Sequence, residues 1–349
     1  MNDEFAFIQS IRERARQSRV PATELSVGIG DDAAVFRPRA GRELLLTTDL
    51  LVEDVDFKLE YAVPRWLGHK ALAVSLSDIA AMGGAQCYAM LTLAVSRAMV
   101  RNPQSAKFWE EFFDGYFALA ESCGVVLIGG DISATPQGLA IDSMVIGDCL
   151  TGHAVRRSGA QIGDLVFVTG HLGGATVGLQ LLMRGAPINE REVTLKQRAM
   201  RAHLRPEARV EFGKLLGESG LAHAMIDISD GLAQDLAHLC RESRASVILE
   251  AAAVPIAEVA LTSATNANEA FGWALNGGED YELLLTASGA AEARLRHLAE
   301  ICALPLTHIG EVVVPAPEAK VLLRTADKVQ PLQQLGYDHF REARNLTTG

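Results

Sequence analysis

The sequence predicts a two-domain protein of mixed α+β and α/β type, with a first domain over residues 1–150 and a second over 151–349. Three observations carry this. The chain has 349 residues, more than one core of ordinary size organises. Its first half alternates strand-like and helix-like runs but sets strand runs side by side, which suits a sheet with helices on one face. The composition then shifts over Thr151-Gly152-His153-Ala154-Val155-Arg156-Arg157-Ser158-Gly159-Ala160, and a second series of strands and helices begins.

Taken in order, Phe5, Ile8, Ile11 and Ala15 recur at helical spacing over residues 4–18, and Pro21 stops that helix. Glu43–Thr48 reads as a buried strand ending at Asp49. Pro64 opens a helix that ends at Gly83-Gly84, with Ser75, Asp78 and Met82 near one face. Gln86–Val95 is a strand, and Pro103–Ser122 a helix that turns Phe108, Phe112 and Leu119 inward and stops at Gly124. Val125–Ile128 delivers Gly129-Gly130-Asp131, and Leu139–Ile146 alternates as a strand. In the second half, Asp164–Thr169 is a strand and Gly170–Gly174 starts a helix. Further helices run from Pro206 to about Gly217, from Ser229 or Asp230 as N-cap to about Cys240, over Asn266–Leu275 and over 290–302. Strands at Val247–Leu249, Tyr281–Leu285, 306–314 and 320–324 complete the series.

Hydrophobic residues make up 49% and charged residues 21% of the chain, ample for buried cores. The net charge of -11, with no basic stripe, excludes a nucleic-acid partner. It does not exclude a phosphate substrate, because divalent cations invert the local field. The five cysteines are odd in number and form no CxxC pair, which points to reduced thiols and a cytoplasmic protein. Neither a signal-peptide apolar region nor a membrane-spanning run is present, so no membrane association is expected.

The chemistry lies in a repeated pattern of small residues followed by acids. It begins at Gly28-Ile29-Gly30-Asp31-Asp32. It returns at Thr47-Thr48-Asp49, Ser77-Asp78, Gly129-Gly130-Asp131, Asp227-Ile228-Ser229-Asp230-Gly231 and Gly277-Gly278-Glu279-Asp280. The Gly28-x-Gly30-x-x-Ala33 match to a dinucleotide fingerprint fails, since Asp31 and Asp32 would face a pyrophosphate and no strand precedes them. No P-loop, nucleophile elbow, HExxH or kinase catalytic loop occurs, and the nine histidines lack zinc-ligand spacing. Oxygen donors on short side chains suit magnesium shared with substrate phosphates, and hence phosphoryl transfer by positioning and charge neutralisation. Arg157 offers bidentate donors to a phosphate. Each feature also has a plainer reading. Asp49, Asp131 and Asp280 can end strands, Asp227 and Asp230 can cap a helix, Asp78 can be solvated, and Arg157 can form a surface ion pair.

In order and spacing these stretches resemble thiamine-monophosphate kinases. The segments are GIGDDAAV (28–35), TTDLLVEDVDF (47–57), GHKALAVSLSDIAAMGG (68–84), LIGGDIS (127–133), RRSGAQIGDLVFVTG (156–170), RAHLRPEARV (201–210), IDISDGLAQDL (226–236), LNGGEDYELLLT (275–286) and GYDHF (336–340). The wider group includes aminoimidazole ribonucleotide synthetase, selenophosphate synthetase and a hydrogenase-maturation protein. The resemblance implies ATP-dependent conversion of thiamine monophosphate to thiamine diphosphate, the last step in making that cofactor. It also implies a homodimer whose first domains contribute strands to a shared β-barrel, and a C-terminal α/β sandwich. By position it makes Asp32, Thr47, Thr48, Asp49, Asp78, Asp131, Asp227 and Asp230 magnesium ligands. It makes Gly130, Asp131, Arg157, Ser229 and Phe113 ATP contacts, and Asp56, Glu279 and Tyr337 the residues at the thiamine moiety. Direct in-line transfer with no phospho-enzyme is implied.

One departure bears on the substrate. Where the family reads Val-Glu-Gly-Val-His-Phe, this chain reads Val52-Glu53-Asp54-Val55-Asp56-Phe57. Aspartate cannot replace a donor imidazole beside a phosphate without a metal or proton between them. A catalytically altered or inactive nucleotide-binding relative is therefore the alternative reading. A selenophosphate synthetase would need a cysteine near the glycine loop, and the first here is Cys87. The hydrogenase-maturation relative carries a C-terminal cysteine, where this sequence reads Asn345-Leu346-Thr347-Thr348-Gly349.

Overall fold

The computed structural model describes residues 4–102, 104–316 and 320–332. The first half contains α1 (Glu4–Arg16), β1 (Leu25–Val27), β2 (Val35–Phe36), β3 (Arg42–Val52), α2 (Pro64–Ala81), β4 (Ala85–Ser96), α3 (Arg97–Arg101), α4 (Ser105–Cys123), β5 (Val126–Thr135) and β6 (Leu139–Leu150). Four strands form one sheet in the order β3-β6-β4-β5, with β4 and β5 parallel and the other pairs antiparallel. Helices α2 and α4 cover one face. The sheet is open, with β3 and β5 at its edges.

The second half contains β7 (Leu165–Thr169), α5 (Gly174–Met183), α6 (Leu195–Leu204), α7 (Val210–Ser219), β8 (Ala224–Asp227), α8 (Leu232–Ser243), β9 (Ser246–Glu250), α9 (Glu258–Ser263) and α10 (Ala267–Asn276). It continues with β10 (Leu283–Ala287), α11 (Glu292–Ile301), β11 (Leu306–Val313), β12 (Val321–Arg324) and β13 (Val329–Pro331). The sheet order is β13-β12-β9-β11-β7-β10-β8, and only β12 with β9 is parallel. Alternation along these strands fills two cores. Val166, Val168, Ile226 and Leu284 meet α8 and α10 on one face; Phe167, Met225, Leu283 and Leu285 meet α7 and α11 on the other. The result is a sheet layered between helices, in line with the expected sandwich.

Helix α2 explains how the halves meet. Pro64 occupies its first turn, and nearly every position from Trp66 to Ala81 is buried, as in a helix apolar all round. Its outer side packs on α4 and its C-terminal end enters the second domain's core, where Ala80 and Ala81 join Phe212 and Leu216. Contact with α4 is backbone to backbone. A β-carbon on Gly68 would lie 1.9 Å from the Phe112 carbonyl oxygen, and one on Gly115 would lie 1.7 Å from that of Arg65. Gly115→Ala must therefore separate α2 from α4. The expected loss is about 3 kcal/mol of stability, read as a lower urea midpoint at unchanged m-value. An unchanged midpoint would mean that the crossing tolerates a methyl group.

Several boundaries differ from the sequence reading. Asp49 and Asp131 lie inside β3 and β5 and end neither strand, because pairing with β6 and β4 continues past them. Helix α4 begins at Ser105, the expected start at Pro103 lying outside the described residues. Helix α7 begins at Val210 instead of Pro206, and β10 at Leu283 instead of Tyr281. Neither Ser229 nor Asp230 caps α8. Gly231 is the N-cap residue, and Asp235 in the first turn reaches back to the amides of Asp230 and Gly231 at 3.1 and 3.0 Å. Gly124, in the left-handed region at φ 71°, ends α4 as read.

Candidate active site

The acids predicted along the chain are sorted by the two faces of one strand. In β3, Leu45 and Leu51 are buried toward α2 while Leu44, Leu46 and Leu50 are exposed. By the same alternation Thr47 and Asp49 face the helix, and Thr48 faces away. Thr47 Oγ1 donates to Asp78 on α2. Ser77, next to Asp78, donates to Asp227 Oδ2 at 2.6 Å. Asp227 ends β8 and is buried. Strand β3, helix α2 and strand β8 thus bring Thr47, Asp49, Asp78 and Asp227 to one junction between the domains.

That junction is electrostatically unfavourable as it stands. Burial, then Asp78 and more weakly Asp142, push Asp49 up to about 6 against the opposing pull of the Ser75 hydroxyl. Burial, then Asp78 and Asp49, push Asp227 up to about 7. The Oδ2 atom of Asp49 is buried and accepts no hydrogen bond among the described residues. A buried, unpartnered carboxylate oxygen among like charges is costly unless a cation completes it. The donor set is oxygen only, which fits magnesium. Among the described residues no group of three or more His, Cys, Asp or Glu side chains forms a ready metal cage. Magnesium usually takes one or two carboxylates and fills its shell with water and phosphate oxygens, so the residues present fit that ion.

On the other face of the sheet, Thr48 Oγ1 donates to Asp142 of β6. Thr92 pairs in register with both Asp142 and Asp131, which sets Asp131 on this same open face. Thr48 and Asp131 are therefore separated from Asp49 by the sheet, and the expected ligands divide into two groups. Asp142 is a member of the second group that sequence reasoning missed; its signal was the alternation of Leu139–Ile146. Gly130 is required by its backbone: φ is 150°, and a β-carbon would lie 1.9 Å from the Leu91 carbonyl oxygen. In the glycine loop, Asp31 Oδ1 accepts the Asp32 amide at 3.0 Å, so Asp31 closes the turn and Asp32 remains exposed. No described hydrogen bond or ion pair joins the Asp32 side chain to the acids at the junction.

The loop after β8 holds Ser229 and Asp230. Asp230 Oδ2 accepts from Gln234 at 3.1 Å. Burial, then Asp230 and Asp227, push Asp235 up to about 8. Arg157 is exposed, and its carbonyl accepts the Ser243 hydroxyl at 2.9 Å. Phe113 departs from expectation. It is 2% exposed and packs against Phe7, Trp109, Phe112 and Phe117, so it is a core residue with no surface for a nucleotide.

Among the residues expected at the thiamine moiety, Asp56 Oδ2 accepts the Val52 amide at 2.8 Å and closes the turn after β3. Asp54 sits there at φ 67°, a left-handed conformation that accounts for glycine as the family's usual choice. Burial would raise the Glu279 carboxyl, but Lys70 and His203 outweigh it and hold it at about 2. Lys70 and His203 were not singled out from the sequence: one lies in a helix that is buried all round, the other among the scattered charges of α6. Asp280 accepts the amides of Gly173 and Ala175 at 2.8 and 3.3 Å, so it ties down the backbone at the start of α5 and ends no strand. Tyr337 lies outside the described residues.

Residues 30–149 match the family described as AIR synthase related protein, N-terminal domain, and residues 161–321 match its C-terminal domain. Thiamine-monophosphate kinase of Bacillus subtilis (strain 168) is 37% identical over 339 residues, covering 97% of this chain and 100% of that protein. The crystal structure of thiamine-monophosphate kinase from Stenotrophomonas maltophilia K279a superposes with a TM-score of 0.79 at 37% identity, covering 92% of this chain and 96% of that one. AaThiL complexed with AMPPCP and TMP superposes with a TM-score of 0.73 at 28% identity, covering 97% of each chain. Fold and site thus define an enzyme of the AIR synthase-related class. Within that class the chain belongs to the thiamine-monophosphate kinase family.

Proposed function

We propose that the protein transfers the γ-phosphoryl group of ATP directly to the phosphate of thiamine monophosphate, releasing thiamine diphosphate and ADP, with magnesium bound at the acidic junction. The observation that carries this is the convergence of Asp49, Asp78 and Asp227, with a carboxylate oxygen left unpartnered where the two domains meet. The relative AaThiL was crystallised with AMPPCP, an ATP analogue, and TMP. Bound magnesium would neutralise phosphate charge as it shifts between the two substrates. Asp49, Asp78 and Asp227 would line its site, one or two of them reaching it directly and water or phosphate oxygens filling its shell, with Thr47 keeping the Asp78 carboxylate oriented. Asp32, Thr48, Asp131 and Asp230 are further ligand candidates for additional ions. Gly130 lets the β5 backbone approach a ligand where a side chain would clash, and Arg157 and Ser229 border the nucleotide end. Asp56, Glu279 and Tyr337 are assigned to the thiamine moiety.

We also infer a homodimer that closes the first sheet into a barrel with its partner copy. Leu46 and Leu50 are 63% and 59% exposed on the open face, alongside Leu44 and Thr48, an apolar row of the kind that marks an interface. We place the enzyme in the cytoplasm, where its five free thiols would stay reduced. No described helix is long and apolar enough to cross a membrane.

The test is an assay of ADP release with thiamine monophosphate, with and without magnesium, and with product identification. Thiamine diphosphate is expected only when ATP, magnesium and acceptor are all present. Its absence at saturating ATP and magnesium would overturn the proposal.

A further inference from the structure

Glu279 is partly buried, at 26% side-chain exposure, and each of its oxygens has a buried basic side chain against it. Lys70 Nζ donates to Oε1, and His203 Nδ1 lies 2.6 Å from Oε2. Lys70 is 1% exposed and His203 3% exposed. Three separate parts of the fold meet here: Lys70 comes from α2, His203 from the last turn of α6, and Glu279 from the segment between α10 and β10. Glu279 itself takes a left-handed φ of 65°, and Tyr281 one of 49°. Non-glycine residues hold such conformations only where their surroundings impose them, and they cluster at ligand sites. The same segment is tied to the loop that carries Ser229, through Glu279 N–H to the Ser229 carbonyl at 2.8 Å and Tyr281 N–H to the Ile228 carbonyl at 2.9 Å.

A buried ammonium ion is a poor way simply to join two helices, since apolar residues of similar volume do so at least as well. What the charged arrangement adds is a carboxylate that is fixed in orientation and ionised. Its remaining lone pairs still point outward for a ligand's donors. We propose that Lys70 and His203 are positioning residues that aim Glu279 at the acceptor substrate, a cationic heterocycle that carries an amino group. The inference rests on the proposed function, which puts thiamine monophosphate at Glu279.

The experiment is steady-state kinetics of the full chain carrying K70M, K70Q, H203L or H203N, with melting curves to establish that each variant is folded. H203L and K70M are expected to raise KM for thiamine monophosphate by about 10- to 100-fold, the range of a lost hydrogen bond to a charged group. KM for ATP should stay within about twofold. H203N, which puts an amide nitrogen where Nδ1 was, should recover most of the loss, and K70Q part of it. The inference is overturned if folded variants keep the wild-type acceptor KM. It is equally overturned if KM for both substrates changes alike and H203N does no better than H203L. Inactive wild-type protein would instead overturn the proposed function, so the two failures are distinct.

Discussion

Asp49→Asn will reduce turnover by about 1000-fold or more and, in the absence of magnesium, make the protein more stable. Both effects come from one atom set. Asp49 reaches the junction from inside β3, with Asp78 beside it and a carboxylate oxygen that has no partner. Removing its charge removes a ligand for the ion on which in-line transfer depends. It also removes a carboxyl whose ionisation the fold resists. The gain should be about 1–3 kcal/mol at pH 8, seen as a higher melting temperature in the presence of a chelator. Near-normal turnover would refute the ligand role. A lower melting temperature would refute the claim that charge repulsion dominates at this position.

The second large effect is a stability profile that runs against the usual direction for carboxylates. Asp49 is raised to about 6, Asp227 and Asp280 to about 7 and Asp235 to about 8, in each case chiefly by burial. An acid whose pKa is higher in the folded state than in the unfolded chain keeps its proton longer when folded. The folded state then binds more protons between about pH 4 and 8, so its stability falls as pH rises through that window. Glu279 acts oppositely. It is held at about 2, so its contribution is present above the usual carboxylate range and fades as pH drops toward 2. The metal-free protein should therefore be most stable near pH 4 to 5 and lose about 5 °C or more of melting temperature by pH 8. Added magnesium should flatten the fall if it binds the ionised carboxylates of the folded state as proposed. A melting temperature that is level or rising from pH 5 to 8 without magnesium would show that these acids are already charged at little cost.

Much of this was legible in the residues. The small-residue and acid pattern located the strand β3, the helix α2 and the β8 loop that build the junction, and the alternation of β3 could have separated Thr47 and Asp49 from Thr48. What the sequence did not show is what lies across a contact. Asp142 entered through cross-strand neighbours, which depend on register. Lys70 was hidden because α2 is buried all round, so no polar stripe marks the face that meets Glu279. His203 meets Glu279 from 76 residues away in the chain (279 − 203), a pairing that only the packing of α6 creates. Ser229 and Asp230 matched the pattern of a cap, but Gly231 is the N-cap residue and Asp235, from inside the first turn, takes up the amides of Asp230 and Gly231. Phe113 reads like any exposed aromatic until its helix face is known.

Helix α2 belongs to the first half by sequence but supplies core residues to both. Its last turn meets α7 with no room between the backbones: a β-carbon on Gly213 would lie 2.3 Å from the Ala80 carbonyl oxygen, and one on Gly217 would lie 2.0 Å from that of Gly83. The module that recombination could move between relatives is therefore not the half that ends near residue 150. It is that half together with α7, and a chimera cut between them would pair a helix with a surface that never accommodated it.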